Sequence, residues 1–421
     1  MPLRDVVITG LGVISPIGIG NDAFWTALRH GKSGVRPLTH FDASRLPIPF
    51  GGEVLDFDPK EFVKPRKSLK VMSRDIQFAV TAASLATAHA GIEIGAIDPE
   101  RFGVVFGADM MHCPLEELAE VYRSCAVEGR FDFRRWGEQA MAHMYPLWML
   151  KYLPNMPACH IGIALDARGH NNSIVLGDVS SLLAVSEGAH LIARGQADTM
   201  IVGGASSQIT PSLYVRSCAG EVSHRADRPE AACRPFDAAR DGAVLGEGAA
   251  ALVLESRQHA TARGARIIGR VLACTSAFAP RSNDAVTDGT AIRASIQNTL
   301  LSAGLSGGDV GHVNANGQST VLDDRREAQA IRAVLDDVPV TAPKSFFGNL
   351  GAGTGAVELA VSVLALSEGV VPPTLNYEQP DPECPINVIS RAPLHGTKPT
   401  ALVLNQASAG QAAAVLIAAE T

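Results

Sequence analysis

The residues of this chain best placed to do chemistry sit beside expected helix starts and turns, not in a metal-ligand or disulfide pattern. Asp178 stands just before Ser180 and Ser181, at the start of a helix expected over Ser180–Arg194. A carboxylate there is favoured by the helix dipole and can cap free backbone amides. As a nucleophile it would form an unstable mixed anhydride, so the spacing favours Asp178 as a cap and the two serines as helix-start residues. His112, His160, His170 and His312 are the imidazoles available as bases. His160 and His312 fall in scaffold segments and read as structural, while His170 lies close before Asp178. The glycine-rich run from Gly351 to Gly355 has the look of a phosphate loop, but the tight entry to a helix is the simpler reading. Seven dispersed cysteines include no CxxC pair. An odd, scattered set reads as reduced thiols, with neither a disulfide framework nor a zinc site. No group of His, Cys, Asp and Glu has metal-ligand spacing, so neither a metal nor a cofactor is expected.

The elements that must position these residues alternate between short Val/Ile-rich runs and longer amphipathic ones, the pattern of helices covering buried sheets. In the first half, Asp5–Leu11, Gly103–Gly107, Ser173–Leu176 and Met200–Gly204 read as strands. Helices are expected over Asn21–His30, Ser73–Ala90, Pro114–Ala126 and Ser180–Arg194. In the second half, Ala250–Leu254, Ile267–Ala273, His312–Ala315, Pro339–Ala342 and Ala401–Leu404 read as strands. Helices there are expected over Gly289–Ala303, Asp323–Leu335 and Gly355–Ser367. Ser206–Arg225 and Phe278–Val286 read as loops, and Cys125–Tyr152 is the least regular stretch of the first half. The succession of strands and helices is similar in the two halves, which predicts a duplicated α/β unit. The boundary falls between residues 1–256 and 257–421.

Composition narrows the function classes. At 421 residues the chain exceeds one usual domain core. Hydrophobic residues are 46%, aromatics 5%, and there are 40 glycines, which suits small-residue helices packed closely on sheets. A net charge of −7 has the wrong sign for a nucleic-acid binder. No apolar stretch approaches the roughly 18 residues a membrane-spanning helix needs, and Met1 leads into a strand with no leader pattern. The expectation is a cytoplasmic protein with neither a membrane nor a nucleic-acid partner.

Several blocks along the whole chain resemble the beta-ketoacyl synthase family, the condensing enzymes of fatty-acid and polyketide assembly. They are Val6 to Gly18, Phe41-Asp42-Ala43-Ser44, Gly51-Gly52-Glu53-Val54 and Met200 to Ala205. The most specific is Arg234-Pro235-Phe236-Asp237-Ala238-Ala239-Arg240-Asp241-Gly242, followed by Gly246-Glu247-Gly248-Ala249. The resemblance implies an α/β thiolase fold, two duplicated halves in a five-layered αβαβα arrangement, with dimerisation through strands of the first half. It also implies a site built on a cysteine and two histidines. Where the family has its cysteine, this chain resembles it over Gly169 to Ser181 but carries Asp178. Where the family's first histidine belongs, Asn314-Ala315-Asn316-Gly317-Gln318-Ser319-Thr320 carries Asn316. Gln318 replaces one of two pantetheine-binding threonines and Thr320 remains; Asp324 and Glu327 match downstream acids. Where the second belongs, Lys344-Ser345-Phe346-Phe347-Gly348-Asn349 keeps Lys344 and carries Asn349. The gating loop matches Asn405 to Gln411, with Ala407 and Ala409 in place of two phenylalanines.

Two readings follow from that resemblance. Each asparagine still offers a hydrogen bond to an oxyanion, but neither carries a proton near neutral pH. The favoured reading is a non-condensing, chain-length-factor-like partner of an active ketosynthase, as a heterodimer; a homodimer stays open. The alternative is a redirected acyl-thioester enzyme (decarboxylase, hydrolase or non-covalent condensing acyltransferase), with Asp178 as base and Asn316, Asn349 and Lys344 as oxyanion site. Against it stands the expectation that Asp178 ion-pairs with Lys344. The basic run at Arg66, Lys67 and Lys70, with Arg74, is either a solvated helix approach or the docking surface for an acidic acyl carrier protein.

Overall fold

The computed structural model describes residues 4–280 and 289–420. The loop expected over Phe278–Val286 lies largely outside them. In the first half, strands β1 (Val6–Ser15), β2 (Phe102–Ala108), β3 (Asn171–Ile174), β4 (Thr199–Ser207) and β5 (Glu247–Ser256) form a sheet ordered β3-β2-β4-β5-β1. In the second half, β6 (Gly269–Phe278), β7 (His312–Asn314), β8 (Pro339–Thr341), β9 (Thr400–Gln406) and β10 (Gln411–Ala418) are ordered β8-β7-β9-β10-β6. The two orders are the same, and so are the directions. β2 is parallel to β3 and β4, as β7 is to β8 and β9, while the remaining pairs are antiparallel. The duplication missing from the residue-level sequence is therefore present in the topology. A short antiparallel contact, Val6–Ile8 against Gly269–Val271, joins the sheets edge to edge.

Helices make the other three layers. Between the sheets lie α3 (Ser180–Ala193) and α6 (Thr354–Glu368), which touch strands of both halves. Every residue of α6 from Thr354 to Val363 is buried, as expected of a helix with protein all round it. Helices α1 (Arg74–His89) and α2 (Met156–Leu165) cover the outer face of the first sheet; α4 (Thr290–Ala303) covers the second, with α5 (Val321–Leu335) against it. Because both faces are covered, β1 and β5 are buried along their full length and read as near-continuous runs of small and apolar residues. Close packing explains the glycines: a Cβ at Gly10 or Gly12 would come within 2.3 Å of a carbonyl oxygen of α1.

Several elements differ from the sequence reading, among them helix α2, which was not expected. The Ser206–Arg225 loop contains a helix, Pro211–Ser217, anchored by buried Tyr214, whose hydroxyl donates to the Phe50 carbonyl at 3.0 Å. Strand β10 was not expected, because alanine is a poor strand former; its partners β9 and β6 impose it. The Cys125–Tyr152 stretch holds a two-residue hairpin, Ala126–Val127 with Arg130–Phe131, and a helix, Trp136–His143.

His312, on central strand β7, is fully buried, and neither ring nitrogen has a partner. Burial pushes its pKa down to about 4. The folded state therefore holds the ring neutral while the unfolded chain protonates near 6.5, so stability falls as pH drops from about 6.5 to 4. Over that window the loss is about 3 kcal/mol from this residue. The variant His312→Phe should lose that component: in urea titrations its stability relative to wild type rises as the pH is lowered from 7 to 4. A difference independent of pH would contradict the assignment.

Candidate active site

Asp178, Asn316, Gln318, Lys344 and Asn349 lie beyond the carboxyl ends of strands, where loops of both halves meet near the amino ends of α3 and α6. This is the usual location for sites in parallel α/β sheets. Asp178 follows β3, the Asn316–Thr320 turn follows β7, Lys344 and Asn349 follow β8, and Asn405 and Ala407 bracket the end of β9.

Asp178 is not a helix cap. It lies in a single 3-10 turn, Gly177–Val179, and α3 has no side-chain cap. Its Oδ2 instead accepts from two side-chain amides, Gln318 Nε2 at 2.5 Å and Asn349 Nδ2 at 2.9 Å. Burial pushes its pKa above the usual carboxylate range, against the opposing charge of Lys344 and with a further push from Asp109. Ser180 and Ser181 do open the helix. The Ser180 hydroxyl donates to the Gly177 carbonyl at 2.6 Å, and Ser181 Oγ accepts from the Ala356 amide at 3.0 Å, tying α3 to α6.

The expected Asp178–Lys344 ion pair does not form. Lys344, 1% exposed, donates to Glu358 Oε1 at 2.8 Å, to the Asn316 carbonyl at 2.5 Å and to Asn316 Oδ1 at 3.0 Å. Asn405 Nδ2 completes the cluster at 2.6 Å from Glu358 Oε2. The ammonium thus spends its three donors on the scaffold. Desolvation still wins at Glu358, whose pKa is pushed up to about 7 despite Lys344. Asn316 has its Oδ1 held by Lys344, while its Nδ2 is buried without a partner.

The turn that carries Asn316 and Gln318 is clamped from below. Glu327 accepts from the Asn316 and Gly317 amides at 2.7 and 2.8 Å, and burial lifts its pKa to about 8. Asp324 accepts from the Phe236 amide at 2.8 Å, and burial lifts it to about 7. Gly317 (φ 39) and Ser319 (φ 68) are both left-handed. Thr320 is buried with an unpartnered hydroxyl. Ala407 is buried beside Gly177, whereas Ala409 is exposed at the hairpin tip.

Asp109, one residue beyond β2, belongs to the same cluster and was not singled out in the sequence. It accepts from the Ala352 amide at 2.8 Å and bonds Ser206, and burial raises its pKa. Its place after β2 corresponds to that of Asn316 after β7, a signal that only the duplicated topology makes visible. Among the histidines only His112 acts on it, as a favourable charge. His160 is buried in α2, and His170 is exposed. Cys233 approaches the charges of Lys344 and Glu358, but full burial pushes its thiol far up, so it offers no thiolate.

Arg66, Lys67 and Lys70 lie exposed on a short 3-10 helix, Arg66–Val71. Arg74 does not join them. Its guanidinium turns inward onto buried Glu247, 2.6 and 2.8 Å from its two oxygens, and stacks over Phe78. An arginine committed to a desolvated carboxylate is a scaffold ion pair. No group of three or more metal-ligating side chains occurs among the described residues, and no described helix is long and apolar enough to cross a membrane.

Comparison with known proteins places this geometry. Residues 3–260 match the beta-ketoacyl synthase N-terminal domain and residues 268–378 the C-terminal domain. The chain is 35% identical over 392 residues to 3-oxoacyl-[acyl-carrier-protein] synthase 2 of Synechocystis, covering 92% of this chain and 91% of the relative. The ishigamide ketosynthase/chain length factor superposes with a TM-score of 0.87 at 26% identity, covering 100% of both chains. A type II polyketide ketosynthase, solved with its acyl-carrier protein and bound to the hexaketide, gives 0.84 at 27% identity and also covers 100% of both chains. With thiolase-fold ketosynthases as its structural neighbours and both family domains matched, the chain belongs to the beta-ketoacyl synthase family.

Proposed function

We propose that this chain is the non-condensing partner of a cysteine-bearing ketosynthase in fatty-acid or polyketide assembly, in the manner of a chain length factor. The observation that carries the reading is the state of Asp178. Its Oδ2 is engaged by two amides and burial raises its pKa, so it is not presented as a free nucleophile. The remaining positions agree. Asn316 and Asn349 replace proton carriers with groups that cannot titrate, and Lys344 is committed to Glu358.

A partner of the same family suits the surface beside the site. β3 is the outer strand of its sheet, and its outer edge has no strand partner among the described residues. Such an edge invites pairing with another strand. The irregular Cys125–Tyr152 segment exposes large apolar groups: Phe131 48%, Phe133 74% and Met141 85%. Exposed apolar surface on this scale marks an interface. Arg66, Lys67 and Lys70 would meet the acidic carrier protein.

The redirected-enzyme reading keeps one supporting observation, the buried and unpartnered Nδ2 of Asn316, which would suit a carbonyl oxygen. Reconstitution separates the two readings. With the partner ketosynthase and loaded carrier present, Asp178→Ala should leave the rate of product formation within about twofold of wild type. A loss of about a hundredfold or more, the scale of a removed acid–base group, would establish Asp178 as catalytic. The docking surface has its own test. Lys67→Glu with Lys70→Glu should abolish crosslinking to the carrier without changing the unfolding midpoint. Arg74→Ala should instead destabilise the fold by about 3 kcal/mol, because it strands Glu247 in the interior. Unaltered crosslinking of the double variant would refute the docking surface.

A further inference from the structure

We propose that Gln318 is the lid of the Asp178 site: its side chain reaches from the second half across to the first and closes the site to thioester-sized ligands. The inference rests on the reading of the site as retired from acyl transfer, and it assigns the closure to one residue. Asp178 and Gln318 are 140 positions apart, yet Nε2 donates to Oδ2 at 2.5 Å. The acceptor is a carboxyl group whose other contact on the same oxygen comes from Asn349, just before the turn that enters α6. Asn349 is itself fixed, since its Oδ1 accepts from the Gly351 amide at 2.9 Å and the Thr354 hydroxyl at 3.0 Å.

The backbone beneath Gln318 cannot move away to open the site. Glu327 holds the amides of Asn316 and Gly317, and Asp324 holds that of Gln318. Ser319 Oγ accepts from the Arg234 amide at 3.0 Å. A Cβ at Gly317 would come 2.7 Å from Ala342 Cβ, so the turn is packed as well as bonded. Opening is therefore a rotation of the Gln318 side chain, at the cost of one hydrogen bond to the Asp178 carboxyl group.

Closure by Gln318 also accounts for the gating loop. Ala407 sits against Gly177 with nothing beyond its methyl group, and Ala409 points into solvent. Neither can donate a hydrogen bond from its side chain to Asp178. The half-buried amide of Gln318 does, and a threonine in its place would be too short to reach Oδ2. Gln318 acts here as a specificity residue, not as a catalytic one.

Carboxyl footprinting of the intact chain tests the lid while leaving Asp178 in place. The protein is treated with carbodiimide and glycine ethyl ester, and labelling at each acid is read by mass spectrometry. In wild type, Asp178 should label far more slowly than Asp336, whose side chain is 88% exposed. In Gln318→Ala and Gln318→Thr its labelling should rise about tenfold, the scale of losing one such hydrogen bond. Labelling of Glu358, buried behind the site, should not change. The lid is overturned if Asp178 labels as fast as Asp336 in wild type, if it labels no faster in both variants, or if Glu358 rises in parallel, which would mean general loosening. A second arm adds the hydrolysis-resistant amide analogue of acetyl-pantetheine. Protection of Asp178 in the open variants supports both the lid and the thioester reading. Faster labelling without protection supports the lid and counts against a thioester site beneath it.

Discussion

The contact on which the rest of the site depends is the buried pair of Lys344 and Glu358, set where the two halves meet. One ammonium, 1% exposed, holds the carbonyl and side chain of Asn316 and one oxygen of Glu358, while Asn405 takes the other oxygen. Taking such charges out of water is expensive and is repaid only by complete hydrogen bonding. Asn316 and Lys344 follow β7 and β8, Asn405 lies near the end of β9 and Glu358 on α6, so the pair fixes the relative positions of these elements. Removing the lysine would leave a carboxyl group already pushed up to about 7 with no cation to oppose its desolvation. The scaffold of the site is thus held by a buried ion pair, while the positions that the family resemblance marks as reactive carry Asp178, Asn316 and Asn349.

That contrast is what links sequence to function here. The aspartate at position 178 is held by two amides, and burial pushes it toward its neutral form. Its partners, Gln318 and Asn349, stand at positions where the sequence resemblance also leads one to expect other residues. The three side chains form one hydrogen-bonded unit, the arrangement expected when neighbouring polar groups satisfy each other.

Much of the fold was legible because its signals are local. Runs such as Val6–Ile14 and Ala249–Leu254 are buried on both faces and so read as continuous strands. Duplication was visible only as an alternation of element types; strand order established it. Alanine-rich β10 escaped notice because partners on either side impose it. At the site, positions 178, 316, 344 and 349 were marked by motif and do converge. What the sequence could not give was direction: Arg74 belongs to a basic run yet turns inward, Lys344 chooses Glu358 over Asp178, and Asp109 enters the cluster from a strand with no motif. Side-chain direction is set by which charge is already buried nearby, and that is a property of the packed chain.

On the proposed reading the retained scaffold serves an assembly, and the composition of that assembly is its most direct test. Native mass spectrometry of the protein isolated from its own cells reads it in one experiment. The account predicts a one-to-one complex with a second, cysteine-bearing ketosynthase. A homodimer of this chain with no such partner would contradict it.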